Sequence, residues 1–329
     1  MDGTRHYDNP ASERKLAFTL EKFNGRNLNP SVSVYLPYNL TTDVFEELIS
    51  NSDDGKHAFD FPALRNWLGK LFVTLDAQQD PAHPFHKKPY QLKELDIQAA
   101  DFFHAKKLGF MKLQSRVVNG GKDDEWIPGA VFLRGGSVAI LIIVQPEGAG
   151  GEDEKQVILT VQPRVAASSL AFTEIPAGMV DGSGSFIGKA ADEIKEETGL
   201  EVKESELLDM TKLVLEDVQP DFPSATISLQ EAMYPSPGAC DESITLFLCQ
   251  KRLTRRHLQD LEGKTTGLEK EGEKIRLKLV PLDRLWKEAA RDGKALAALS
   301  LYENLKREGK IPNMPRKAEG EPEDLRGDI

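Results

Sequence analysis

The chain has 329 residues, with 42 Lys and Arg against 53 Asp and Glu, so its formal net charge is −11. That length suits one domain with extensions or two domains. The acidic balance speaks against nonspecific binding to nucleic acid or an anionic membrane, while a bound divalent cation could still reverse the local sign for a phosphorylated small molecule.

The first 22 residues are polar and read as a disordered tail without an apolar signal core, which points to the cytoplasm, with nuclear entry by diffusion also open. Residues 28–37 alternate like a short strand, and "TTDVFEELIS" at 41–50 carries a helix cap. In 61–78, Leu64, Trp67, Leu68, Leu71, Phe72 and Leu75 fall at helical spacing and predict an amphipathic helix. The proline-rich "DPAHPFHKKPY" (80–90) breaks regular structure, and its His83 and His86 read as loop histidines rather than a metal pair.

From about residue 90 the texture turns to strands: "YQLKELDIQ", "GFMKLQSRVV", "GAVFLRGGSVAILIIV", "KQVILTVQPRV" and "LAFTEIPAGMV". The longest apolar run, "SVAILIIV" at 137–144, is strand-sized and too short to cross a membrane as a helix. A helical segment at 186–198 follows, then "LLDMTKLVL", a polar loop at 215–230 and "ITLFLCQKRL". A loop rich in Glu and Gly (262–274) leads to the strand "KIRLKLVPL". Two helical stretches and a charged tail after Pro312 complete the chain. Strands with few helices and no repeated alternation predict an α+β fold, or a sheet sandwiched by helices. Cys240 and Cys249 lack metal-ligand spacing. They speak for a reducing compartment and against a disulfide scaffold or a structural zinc site; Cys240 reads as packing.

The chemically distinctive stretch is "GMVDGSGSFIGKAADEIKEETGL" (178–200). On a helix, Glu193, Glu196 and Glu197 fall within an arc of about 100°. Ile187, Ala190, Ala191 and Ile194 occupy the adjacent side at the spacing of a buried face. Like charges at i, i+3 and i, i+4 oppose the helix unless a cation neutralises them, and hard carboxylate oxygens at this density suit Mg²⁺ or Mn²⁺. A strand ending in a glycine-rich loop precedes the helix, and Gly199 permits a left-handed stop after it.

This stretch resembles the Nudix box: Gly, five residues, Glu, seven residues, Arg-Glu, an aliphatic, any residue, Glu-Glu, any residue, Gly, an aliphatic. Gly178, Glu193, Ile194, Glu196, Glu197, Gly199 and Leu200 match; Gly184 stands at the early Glu and Asp192 at the Arg. In the family those two residues mainly hold each other and tie loop to helix, so the chain lacks that partnership as a unit while keeping the metal-type carboxylates. "FTEIPAGM", "YPSPGACDE", "TGLEKEGEKIRLKLVPL" and "ALSLYENL" are similar, in order and spacing, to the ADP-ribose and ADP-sugar pyrophosphatase branch. With "FPALRNWL", "HPFHKKPY" and "LGFMKL" they resemble the plant ADP-sugar diphosphatase group and its fungal relatives, over roughly residues 60–312.

The resemblance implies a Nudix-type α/β/α sandwich with a mixed sheet at 116–312. Ahead of it, at 23–115, it implies an N-terminal α/β extension that serves for dimerisation; a tail follows at 313–329. It implies metal ligation by the Ala177 carbonyl, Glu193, Glu196, Glu197 and Glu273. It implies Glu271 as the water-activating base, with the roles of Glu271 and Glu273 open to exchange. Arg164 would contact phosphate, Glu174 would stand beside the substrate or buttress the loop, and Glu242 would be an acidic group near the substrate. Tyr90, Phe102, Phe103 and Trp126 are candidates for stacking on adenine. The implied reaction is Mg²⁺-dependent hydrolysis of nucleoside diphosphate sugars to AMP and sugar 1-phosphate by a homodimer, without nucleic acid or membrane partners. Two other readings stay open: a non-catalytic nucleotide sensor, and a hydrolase of dinucleoside polyphosphates.

Overall fold

A computed structural model of the chain describes residues 16–50, 61–104, 107–120, 125–180, 185–218, 229–267 and 274–318. The chain falls into two compact units.

The first unit takes residues 1–135 with the segments 220–229 and 236–242. Its elements are β1 (Leu16–Phe23), β2 (Arg26–Tyr35), α1 (Thr42–Ile49), α2 (Pro62–Ala77), β3 (Gln91–His104), β4 (Lys107–Val118), β5 (Trp126–Ile127) and β6 (Ala130–Leu133). The sheet runs β1-β2-β3-β4-β5, with β6 also on β4; only the β2–β3 pair is parallel. β1 begins at Leu16, inside the stretch read as tail. Its alternation is weak, and pairing with β2 supplies the order that the sequence pattern does not show. The sheet continues past residue 115 through β4 to β6.

Thr41 caps α1, its hydroxyl accepting from the Val44 amide, and Phe45, Leu48 and Ile49 are buried. Pro62 opens α2, where a missing amide costs nothing. Trp67, Leu71, Phe72 and Leu75 pack against the same core as Leu64 and Leu68, which makes α2 an ordinary core helix. His83 accepts from the Phe85 amide, and His86 Nδ1 meets the Gln78 carbonyl at 3.0 Å, so both serve the turn that holds them.

The second unit takes 136–219, 230–235 and 243–329. It contains β7 (Ser137–Pro146), β8 (Gln156–Arg164), β9 (Ser169–Glu174), β10 (Ala177–Met179), α3 (Phe186–Thr198), β11 (Leu207–Asp209), α4 (Met210–Leu215), β12 (Ile244–Leu253), α5 (Arg255–Leu261), β13 (Thr265–Thr266), β14 (Ile275–Pro281), α6 (Leu285–Glu288) and α7 (Gly293–Arg307). The sheet order is β11-β12-β7-β8-β14-β13, with β10 on β7 and β9 on β8; β12 and β7 are parallel, the other pairs antiparallel. "LLDMTKLVL" divides at Asp209, whose carboxylate caps α4 by accepting from Lys212 N.

Every residue of β7 is buried, which requires cover on both faces. Ala139, Leu141 and Ile143 join a core with Met210 of α4, Leu285 of α6 and Ala295, Ala298, Tyr302 and Leu305 of α7. Val138, Ile140, Ile142 and Val144 face the opposite core, with Ala190 and Ile194 of α3 and Leu258 and Leu261 of α5. The period-two alternation of one strand thus builds an α/β/α sandwich, and the chain is α+β with two mixed sheets.

Candidate active site

Ser185 starts α3 by accepting from the Gly188 amide at 3.0 Å. Gly199 ends it in the left-handed region at φ 78°, its amide bonding the Lys195 carbonyl. Ala190 and Ile194 are fully buried, and Ile187 and Ala191 pack against the same core, as their spacing predicts. The carboxylates depart from a simple presented face. Glu193 and Glu197 are themselves buried, at 8% and 4% exposure, while Glu196 is half-exposed.

Gly178 explains how Glu193 fits. A Cβ at position 178 would lie 1.8 Å from Glu193 Oε1, so only a glycine lets the carboxylate lie against the β10 backbone. Lys189, one turn earlier, pairs with Glu193 at 2.7 Å. Glu197 accepts from the Ala177 amide at 3.2 Å and, at 3.4 Å, from Gln162 Nε2. Thr266 of β13 donates its hydroxyl to the Glu197 carbonyl. Burial first, then the charges of Glu193 and Glu174, push the Glu197 carboxyl up to about 8; the Gln162 bond and the Arg164 charge oppose this without offsetting it.

Glu174, at the end of β9, is 2% exposed. Arg164 Nε donates to its Oε1 at 2.6 Å, and Lys294 Nζ of α7 to its Oε2 at 2.9 Å. Lys294 also reaches Asp292 Oδ1 at 2.9 Å, and the other oxygen of Asp292 accepts the Ile175 amide at 3.0 Å.

The fold therefore gathers five of the sequence-designated residues: Arg164, Glu174, Ala177, Glu193 and Glu197. Glu242 belongs to the first unit, where it pairs with Arg134 at 3.1 Å. Glu271, Glu273 and Gly184 lie outside the described residues. Asp192 is exposed and makes no ion pair among the described residues. Cys240 is half-buried in the first unit, and burial pushes its thiol up, away from thiolate chemistry. Of the stacking candidates, Tyr90 and Phe102 pack against the first core, and Phe103 and Trp126 are exposed. A polar cleft of about 600 Å³ opens along another flank of α3, beside Asp192 and Lys195. Its Lys251 is held by Glu206 and the Glu201 carbonyl, its Arg252 by four oxygens, so these cations are committed to structure.

Sequence reading missed Gln162, Lys189, Asp292 and Lys294. Lys189 had a local signal, lying four residues before Glu193. For Lys294 the only local sign is "RDGKAL", an Asp before a helix start; nothing in it points to a carboxylate 120 residues earlier.

Among the described residues no three His, Cys, Asp or Glu side chains converge closely enough to hold an ion by themselves. The donor set nonetheless suits a hard cation. Two buried carboxylates face a partial deficit of positive charge, expressed as a proton retained on Glu197 to about pH 8, and a divalent ion would compete for that place.

No family model matches the chain. A solved structure described as an ADP compounds hydrolase covers 67% of this chain and 99% of its own, at 14% identity and a TM-score of 0.36, an overlap too slight to bear weight. Nudix hydrolase 14, a chloroplastic protein of Arabidopsis thaliana, is 33% identical over 268 residues, which are 81% of this chain and 78% of that protein. With this extent of shared sequence and the glutamates of the box seated on α3 behind Gly178, the chain belongs to the Nudix hydrolases.

Proposed function

We propose that the chain hydrolyses the diphosphate bond of nucleoside diphosphate sugars such as ADP-ribose or ADP-glucose, with Mg²⁺ or Mn²⁺, to AMP and a sugar phosphate, and that it works as a homodimer. The observation that carries this reading is the convergence of the buried Glu193 and Glu197 with the Arg164–Glu174 pair at one end of the β7–β8–β10 sheet.

Glu193 and Glu197 would hold the metal, with the Ala177 carbonyl, and Glu196 would join directly or through water. Glu273 is carried from the resemblance alone. The ion, when bound, neutralises diphosphate oxygens and acidifies an attacking water. Arg164 uses only Nε on Glu174; among the described residues its Nη nitrogens have no partner, which leaves two parallel donors for phosphate oxygens. Its side chain is 41% exposed, so a ligand can reach it. Glu271 is the proposed base, and substitution takes place at phosphorus without a covalent enzyme intermediate.

The test is a panel of ADP-ribose, ADP-glucose, UDP-glucose and diadenosine polyphosphates with Mg²⁺, products separated by chromatography. AMP release that stops with EDTA and in Glu197→Gln supports the reading. Undiminished turnover in that variant removes the metal assignment. Tight ADP-ribose binding without turnover makes the chain a sensor instead.

A further inference from the structure

The family's usual brace between loop and helix has no counterpart here in side-chain chemistry, since Gly184 has no side chain and Asp192 is an exposed anion. A different brace is present. Arg164, Glu174, Lys294 and Asp292 form an alternating chain of charges, with both Glu174 oxygens occupied by cations and Lys294 shared between two carboxylates. Glu174 and Asp292 are almost wholly buried, at 3% and 2% side-chain exposure, and Lys294 is at 18%. Burial pulls the Lys294 ammonium down, but Glu174 and Asp292 more than offset this and hold it charged. Asp292 also caps α7 by accepting from the Lys294 amide at 3.0 Å, while pinning Ile175 by its backbone. α7 is rooted in the core through Ala295, Ala298, Tyr302 and Leu305. The turn Glu174–Ile175–Pro176, which delivers Ala177 and Gly178, is therefore registered against a rigid helix far from the box in sequence.

We propose that Lys294, seated by Asp292, is a positioning residue of this site: it fixes Glu174 and, through it, the guanidinium of Arg164 and the turn that carries Ala177. This rests on the pyrophosphatase reading only for its consequence in catalysis. Lys294 does not touch the reacting atoms; it acts through Glu174. Without it, the Glu174 carboxylate keeps one cation and can rotate, and Arg164 rotates with it.

The experiment is a double-mutant cycle on the full chain: wild type, Lys294→Met, Arg164→Met and the double variant. Each is measured for kcat and KM on ADP-ribose with Mg²⁺ and for amide hydrogen exchange at Ile175, Ala177 and the β7 strand. Lys294→Met is expected to raise KM by roughly tenfold or more with a smaller change in kcat, and the double variant to be no worse than about threefold beyond Arg164→Met. Exchange at Ile175 should quicken by at least about tenfold while β7 amides stay protected, and Lys294→Arg should restore both readings.

If the two KM effects multiply in the double variant, or if Ile175 exchange is unchanged, the proposal is overturned. If wild type turns over no compound in the panel, the pyrophosphatase reading is lost, and Ile175 exchange alone decides the brace. Should Lys294→Met not fold, Lys294→Gln, whose shorter, uncharged side chain gives up the ion pair with Glu174 while staying polar, goes through the same cycle with the same criteria.

Discussion

Replacing Glu197 by glutamine removes a buried acid without changing its shape, and the consequence for stability can be worked out. The carboxyl rises from an ordinary 4.5 to about 8 in the fold. Between those values the folded chain binds a proton that the unfolded chain has released, so unfolding becomes easier as pH rises through the window. No penalty is present below 4.5, and it is complete above about 8. At about 1.4 kcal/mol per pH unit the full penalty is about 5 kcal/mol. Urea unfolding in EDTA, repeated from pH 4.5 to 8.5 and followed by a probe in the second unit, reads it. Wild type should lose stability across this range relative to Glu197→Gln, so the two curves diverge as pH rises. If Glu197 holds the metal as proposed, excess Mg²⁺ should flatten the wild-type curve, since a cation would bind the deprotonated carboxylate, and leave the variant nearly unchanged. Parallel curves for the two proteins in EDTA would refute the reasoning, because the burial of Glu197 would then carry no differential proton affinity.

Other expectations concern single positions. Gly178→Ala places a methyl group where Glu193 Oε1 now lies, so Glu193 must leave its seat. Hydrolysis should fall by at least about a hundredfold while urea stability changes by only about 1 kcal/mol, since a side-chain end, not backbone, gives way. Gly199→Ala puts a Cβ on a left-handed residue and should cost about 1 kcal/mol by urea unfolding, with little effect on KM. Asp292→Ala removes a helix cap and leaves Lys294 with one carboxylate; a loss of about 3 kcal/mol is expected, of which Asp292→Asn should recover about 1 by restoring the cap. A stability for Asp292→Ala equal to wild type would contradict the assigned bonds.

Much of the scaffold was legible in the chain. The apolar spacing of Ile187, Ala190, Ala191 and Ile194, and Gly199 after it, marked α3 almost to the residue, because helix signals are local and repeat every three or four positions. The unbroken apolar run at 137–144 marked a strand, which β7 is; that it is covered on both faces is shown by the two cores packed against it. Spacing also grouped Glu193, Glu196 and Glu197 on one side of a helix. It could not say that two of them are buried and the third half-exposed, since burial depends on what β10 and β13 bring against α3.

The pairing of β1 with β2 and the split at Asp209 lay beyond local pattern for a related reason: weak alternation and a short helix are decided by neighbours in the sheet. By itself the sequence determined the longer, strongly patterned elements such as α2, α3 and β7, and which carboxylates belong to the box. Only the tertiary structure decided what opposes those carboxylates. Sheet order β12-β7-β8 and the packing of α7 bring Lys294 and Asp292 to Glu174 across more than a hundred residues, and an ion pair at that separation leaves no periodic trace in the chain.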